Sequence, residues 1–147
     1  MNDQILKCQE AAMSMRRNII QLAYNGGNNG AHIAPSLSIV EILATLYLTA
    51  MKLNKENKAD ENRDRFILSK GHGGLGYYTA LHEAGLISKE ELYSFEHNGG
   101  EFPGQPSKNI NKGIDYSGGS LGMGLSYGIG LALSAQKKQA TYNVFVL

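Results

Sequence analysis

The chain has 147 residues, 42% of them hydrophobic, with 14 basic against 13 acidic side chains and a formal net charge of +1. That is one domain's worth of chain, enough to bury roughly two thirds of its unfolded surface. The even charge gives no case for nucleic acid or an anionic membrane, no apolar run approaches the roughly 18 residues of a membrane span, and the polar N-terminus is unlike a secretory signal.

A lone Cys8 excludes an internal disulfide and fits a reducing, cytosolic setting. Glycine occurs 18 times, where ordinary usage of about 7% gives about ten. The glycines gather within residues 25–30, 71–76, 98–104 and 113–130, a pattern of turns and close approaches, not of disorder.

Over residues 3–24 apolar side chains recur at Ile5, Cys8, Ala12, Met15, Ile19 and Leu22. This spacing predicts a helix with one buried face, on which Cys8 and Met15 read as core packing. The run Asn25-Gly26-Gly27-Asn28-Asn29-Gly30 ends it, and residues 31–36 read as a short connector holding His32. Ser38-Ile39-Val40-Glu41 matches a capping box opening a helix over residues 39–51, apolar nearly all round and so expected to lie between layers. Residues 52–65 carry mixed charges without an apolar period and read as a solvated connector.

Phe66, Ile67 and Leu68 predict a short strand that breaks at Ser69-Lys70 into a glycine turn, followed by helical spacing at Leu75, Tyr78 and Leu81 and a stop at Gly85. A strand, a glycine turn and a helix start form a ligand-binding arrangement: backbone N–H groups approach closely and the helix terminus favours phosphate. His72 sits in the middle of it. Gly71, Gly73 and Gly76 also spell G-x-G-x-x-G. The acidic residue that a dinucleotide site wants about 20 residues on falls at Glu90 or Glu91, inside a helix start, which argues against a nicotinamide-dependent oxidoreductase.

Ser88-Lys89-Glu90-Glu91 is a second capping box, opening a short helix through Leu92, Tyr93 and Phe95. His82 reads as a helix-surface or packing residue, and His97 suits the end of the short helix. Residues 98–114 form a loop long enough to bind something or cover a site. Residues 116–124 then open a helix to about residue 138, on which Gly124, Gly128, Ala132 and Ala135 make a stripe with almost no side chains, suited to close packing on a sheet or a second subunit. Residues 141–147 read as a strand.

His32 before SLSIVEIL, then NRDRFILSKGH, LHEAGLIS, FPGQPS and GGSLGMGLSYGIGLALS, in this order, resemble the N-terminal half of the thiamine-pyrophosphate-binding domain of transketolases. The resemblance spans nearly the whole chain and is closest to the split form, whose N- and C-terminal halves are separate polypeptides. It implies a fold of the α/β class, a helix-rich part of a parallel-sheet, layered thiamine-diphosphate-binding domain. By resemblance His32 faces the sugar substrate, His72 lies against the cofactor, and Gly119, Ser120 and Leu121 hold the cofactor. Gln105 stands where the family commonly has a substrate-touching histidine; its carboxamide binds a hydroxyl but carries no proton near neutrality.

The resemblance further implies ketol transfer between sugar phosphates, thiamine pyrophosphate with magnesium, partnership with a C-terminal transketolase subunit in a homo- or hetero-oligomer, and a cytoplasmic location. The family's G-D-G magnesium motif would fall beyond Leu147, so residues 1–147 are expected to form a partial domain, inactive alone and without a metal site of its own. A non-catalytic binding or assembly module, docking through the glycine-alanine face, is the alternative reading.

Overall fold

In the computed structural model, which describes residues 2–147, helix α1 (Asn2–Asn25) buries Ala11, Ala12, Met15, Ile19 and Leu22. The expected stripe therefore exists, but only from Ala12 onward. Ile5 is 52% exposed and Cys8 half-buried, so Cys8 is not the core residue that its spacing predicts. Residues 2–7 of α1 are exposed.

Residues 31–36 are more ordered than a connector. Helix α2 (Ile33–Leu37) begins at His32 and holds the buried Ser36. Helix α3 (Val40–Thr45) continues into a π-helical turn, Leu46–Ala50. The capping box expected at Ser38 does not form: Ile39 takes the N-cap position, the Ser38 hydroxyl donates to the Pro35 carbonyl at 3.0 Å, and Glu41 pairs with Arg16 of α1. Nor is the segment buried all round. Val40, Leu43, Ala44 and Tyr47 face the core, while Ile42 is 46% exposed and Thr45, Thr49 and Ala50 face solvent.

Strand β1 (Arg65–Ile67) pairs in parallel with β2 (Val144–Val146), Arg65 opposite Val144 and Ile67 opposite Val146. Between them come α4 (Gly74–Glu83), α5 (Lys89–Leu92) and α6 (Met123–Lys138). Helix α4 is the hub, with every residue from Gly74 to Leu81 buried against α1, α2, α3 and α5. Full burial of each of its leucines, Leu75 and Leu81, contributes about 1.5–3 kcal/mol. Helix α5 starts with the predicted capping box: the Glu91 N–H donates to the Ser88 hydroxyl at 3.1 Å and the Ser88 N–H to the Glu91 carboxylate at 2.7 Å. The long loop closes on itself through an isolated antiparallel bridge between Asn109 and Ile114.

The connector before β1 is not merely solvated. Arg63 is buried and donates through both terminal nitrogens to the Asp115 carboxylate, at 2.9 and 2.8 Å. Its neighbour Asp64 is buried too; its two oxygens accept the Asn143 and Lys52 N–H groups, each at 2.7 Å, tying the approach to β2 to the approach to β1.

Candidate functional site

His72 occupies a 3-10 turn, Gly71–Gly73, just past the C-terminal end of β1. That is where parallel strands of open α/β sheets deliver functional residues. His32 approaches from a different segment, at the N-cap of α2, reached through Gly30 at φ 76°, a backbone region that favours glycine. The two rings meet edge to face, with centroids 4.8 Å apart and planes at 66°. The Ser36 hydroxyl donates to the His72 carbonyl at 3.5 Å, and Lys70 Nζ to the Ser38 hydroxyl at 2.9 Å, so α2 and the turn are held together. Sequence alone gives Ser36 and Lys70 no part in a site and marks Ser38 only as a helix cap.

The glycines of G-x-G-x-x-G serve packing within the chain. A carbon built on Gly76 would lie 2.8 Å from the Ser36 carbonyl oxygen, and one on Gly73 2.7 Å from the Ile39 side chain. Gly76 is where α4 crosses α2 at backbone distance. These positions do not open a nucleotide cradle, and the dinucleotide resemblance is coincidental.

Gly71 serves differently. A carbon there would meet the Gly118 carbonyl oxygen at 2.8 Å and Gln105 Oε1 at 3.3 Å, and a carbon on Gly119 would collide with the same Gln105 oxygen. Gln105 is thus seated between the histidine turn and the Gly118-Gly119 backbone. Its loop is fastened to α4, since Tyr78 donates to the Pro103 carbonyl at 2.7 Å and a carbon on Gly74 would lie 3.0 Å from the Gly104 carbonyl oxygen. Burial pushes the Tyr78 phenol well above its ordinary 10.0, keeping the hydroxyl a donor. Ser120 and Leu121 continue from Gly119 and are exposed, Leu121 to 68%.

Helix α6 starts beside this cluster. A carbon on Gly124 would lie 2.6 Å from the Ser69 Cα, and one on Gly128 2.5 Å from the Val146 side chain. The small-residue stripe therefore packs inward on the sheet and is no docking face, although Ala132 is exposed. The outward side of α6 is apolar instead, with Met123, Leu125, Ile129 and Leu133 each more than half exposed.

Among the described residues no three or more His, Cys, Asp or Glu side chains are grouped to hold a metal ion, and no helix is long and apolar enough to cross a membrane. A groove of about 680 Å3 between α1 and α3, lined by Ile5, Cys8, Ala12, Met13, Arg16 and Glu41, contains none of the site residues, and its two charged groups engage each other.

The chain is 37% identical over 139 residues to one subunit of the apulose-4-phosphate transketolase of Actinobacillus succinogenes, covering 95% of this chain and 50% of the relative. It is 35% identical to the 6-deoxy-6-sulfo-D-fructose transketolase subunit SqwG of a Clostridium species, covering 100% of this chain and 53% of the relative. The crystal structure of transketolase from Campylobacter jejuni superposes with a TM-score of 0.83 at 26% identity, covering 96% of this chain and 23% of that one. The chain spans about half the length of these two curated relatives. Residues 9–145 match the family model for the transketolase thiamine diphosphate binding domain, and the chain belongs to the transketolase family.

Proposed function

We propose that this chain is the N-terminal, cofactor-facing part of a two-subunit transketolase that moves a two-carbon ketol unit between sugar phosphates. The observation that carries the reading is the approach of His32 to His72 at the end of β1, walled by Gln105 and the Gly118-Gly119 backbone. The donor set fits thiamine diphosphate: imidazoles and a glycine backbone beside the start of a long helix suit the polar end, and the exposed Leu121 suits an apolar ring.

Bound there, thiamine diphosphate would supply the electron sink for breaking and remaking a carbon–carbon bond. His72 would carry a proton at the cofactor, and His32 would exchange one with a substrate hydroxyl. Gln105, donating through Nε2 and accepting through Oε1, would bind a hydroxyl without exchanging its proton. Ser120 would add a hydroxyl donor beside the polar end. We assign the magnesium ion's ligands to residues outside 1–147, and the reaction to the cytoplasm.

The partner is a C-terminal transketolase subunit. Relatives named as single subunits and the uncovered apolar side of α6 support an assembly of two kinds of chain, in one or more copies. The second reading, a non-catalytic assembly module, is favoured by Gln105 in place of a proton-carrying side chain.

The test pairs this chain with a C-terminal subunit. Alone, it is expected to bind thiamine diphosphate negligibly in titration calorimetry; the pair binds it with magnesium dependence and transfers a ketol unit. His72→Ala is expected to lower that transfer by about 10²–10⁴-fold at unchanged thermal stability. Saturable magnesium-dependent binding by the single chain would refute the assignment of the ion's ligands. Binding by the pair without transfer would favour the assembly module.

A further inference from the structure

Glu96 follows α5 by a few residues and adopts φ 55°, a left-handed conformation uncommon for a non-glycine residue. Each polar part of it is engaged in a different segment. Its N–H donates to the Phe102 carbonyl at 3.1 Å, closing the intervening turn. Its carbonyl accepts the Asn29 side-chain N–H at 3.1 Å, from the loop that leads to His32. Its carboxylate accepts the Gly104 N–H, in the Pro103–Gly104 peptide one residue before Gln105.

We infer that Glu96 is a positioning residue that sets the placement of Gln105 between Gly71 and Gly119 and couples it to the His32 loop. Hydrogen bonds from a backbone N–H to an ionised carboxylate are stronger than neutral ones and hold direction. The bond therefore holds the Pro103–Gly104 peptide, and with it the Cα of Gly104, one residue before Gln105, beside α4, where Gly74 leaves room for the carbonyl of the following peptide. The left-handed backbone is what allows one residue to face both loops, since an extended Glu96 would carry its N–H and carboxylate away from Phe102 and Gly104. Among the described residues its hydrogen bonds go to Phe102, Asn29 and Gly104 and to none of the site residues, so it acts through the backbone that leads to Gln105. The inference rests on the proposed function only in giving Gln105 a substrate to meet.

The test uses the full chain. Glu96→Gly relieves the backbone and removes the carboxylate. It is expected to keep the melting temperature while Gly104 amide exchange accelerates at least tenfold and the nuclear Overhauser contacts of the Gln105 carboxamide to Gly71 and Gly119 weaken. Glu96→Gln, which retains an acceptor, is expected to restore those contacts and the slow exchange. Unchanged exchange and contacts in Glu96→Gly would refute the inference; if Glu96→Gly fails to fold, Glu96→Asn, which tolerates the left-handed backbone but has a shorter side chain that falls short of Gly104, decides on the same two readouts. With the C-terminal subunit present, Glu96→Gly raises KM for the sugar phosphate at nearly unchanged kcat. Absence of ketol transfer in the wild-type pair counts against the proposed function, and the spectroscopic arm then still decides the role of Glu96.

Discussion

Arg63 has a fully buried guanidinium, and both its terminal nitrogens bond to Asp115, whose second oxygen also accepts the Phe66 N–H at 3.3 Å. Removing Asp115 leaves the Arg63 guanidinium a buried charge with only the Lys58 and Asp64 carbonyls as hydrogen-bond partners. Asp115→Ala is expected to destabilise the fold by about 3–5 kcal/mol in urea denaturation, and the double replacement Arg63→Met with Asp115→Leu to recover most of it. A loss below about 1 kcal/mol for the single variant would show the pair to be solvated. This pair was illegible in the sequence because Arg63 sits in a run of mixed charges and its partner lies 52 residues away. Ser38 and Glu41 misled for a related reason: their local motif was intact, but Lys70 and Arg16, from distant segments, engaged them instead.

Helix α6 shows at the level of an element what glycine does. Gly124 and Gly130 lie on one helix, yet a carbon on Gly124 would strike the Ser69 backbone, whereas nothing lies within 4 Å of one on Gly130. Replacing an interior helical glycine by alanine gains about 0.5–1 kcal/mol from backbone entropy and propensity. At Gly130 that gain stands alone, so Gly130→Ala is expected to raise the melting temperature. At Gly124 overpacking of about 1–3 kcal/mol opposes it, so Gly124→Ala is expected to lower the melting temperature and displace the Ser69-to-His72 turn. Equal effects from the two would remove the packing account. Periodicity made α1, α4 and α6 legible, as backbone grammar made the histidine turn. Which side of α6 faces inward was not, because a stripe of small residues fits a sheet and a second subunit equally well. Helix α2 escaped because five residues containing Pro35 are too short to show a period.

The whole molecule is organised around buried tyrosines. Burial pushes the phenols of Tyr47, Tyr77 and Tyr78 above their ordinary 10.0, so the fold holds them neutral. Their contribution is fully present below pH about 10 and is lost as pH rises further, because only the unfolded chain ionises them freely. Three such groups give up about 4 kcal/mol by one unit above that point, a large share of a typical stability of about 5–15 kcal/mol. Cooperative unfolding is therefore expected above pH about 11, with a step of phenolate absorbance coinciding with loss of circular dichroism. Phenolate absorbance from all the tyrosines appearing ahead of unfolding would contradict this. Of the site, the sequence showed His32, His72 and the glycine walls as separate stretches of chain. That they meet depends on α2 docking against the turn, a tertiary event that no local pattern encodes.

The parallel pairing of β1 with β2 joins segments 79 residues apart along the chain. Closing so long a loop is entropically slow, whereas α1, α3 and α4 find one another over shorter separations. The helical cluster can therefore assemble on the nascent chain well before β2 is synthesised, and the seat of α6 on the sheet is completed only after it. Until then the apolar edge of β1 is open to other chains, and the hazard of misassembly in synthesis concentrates in that interval.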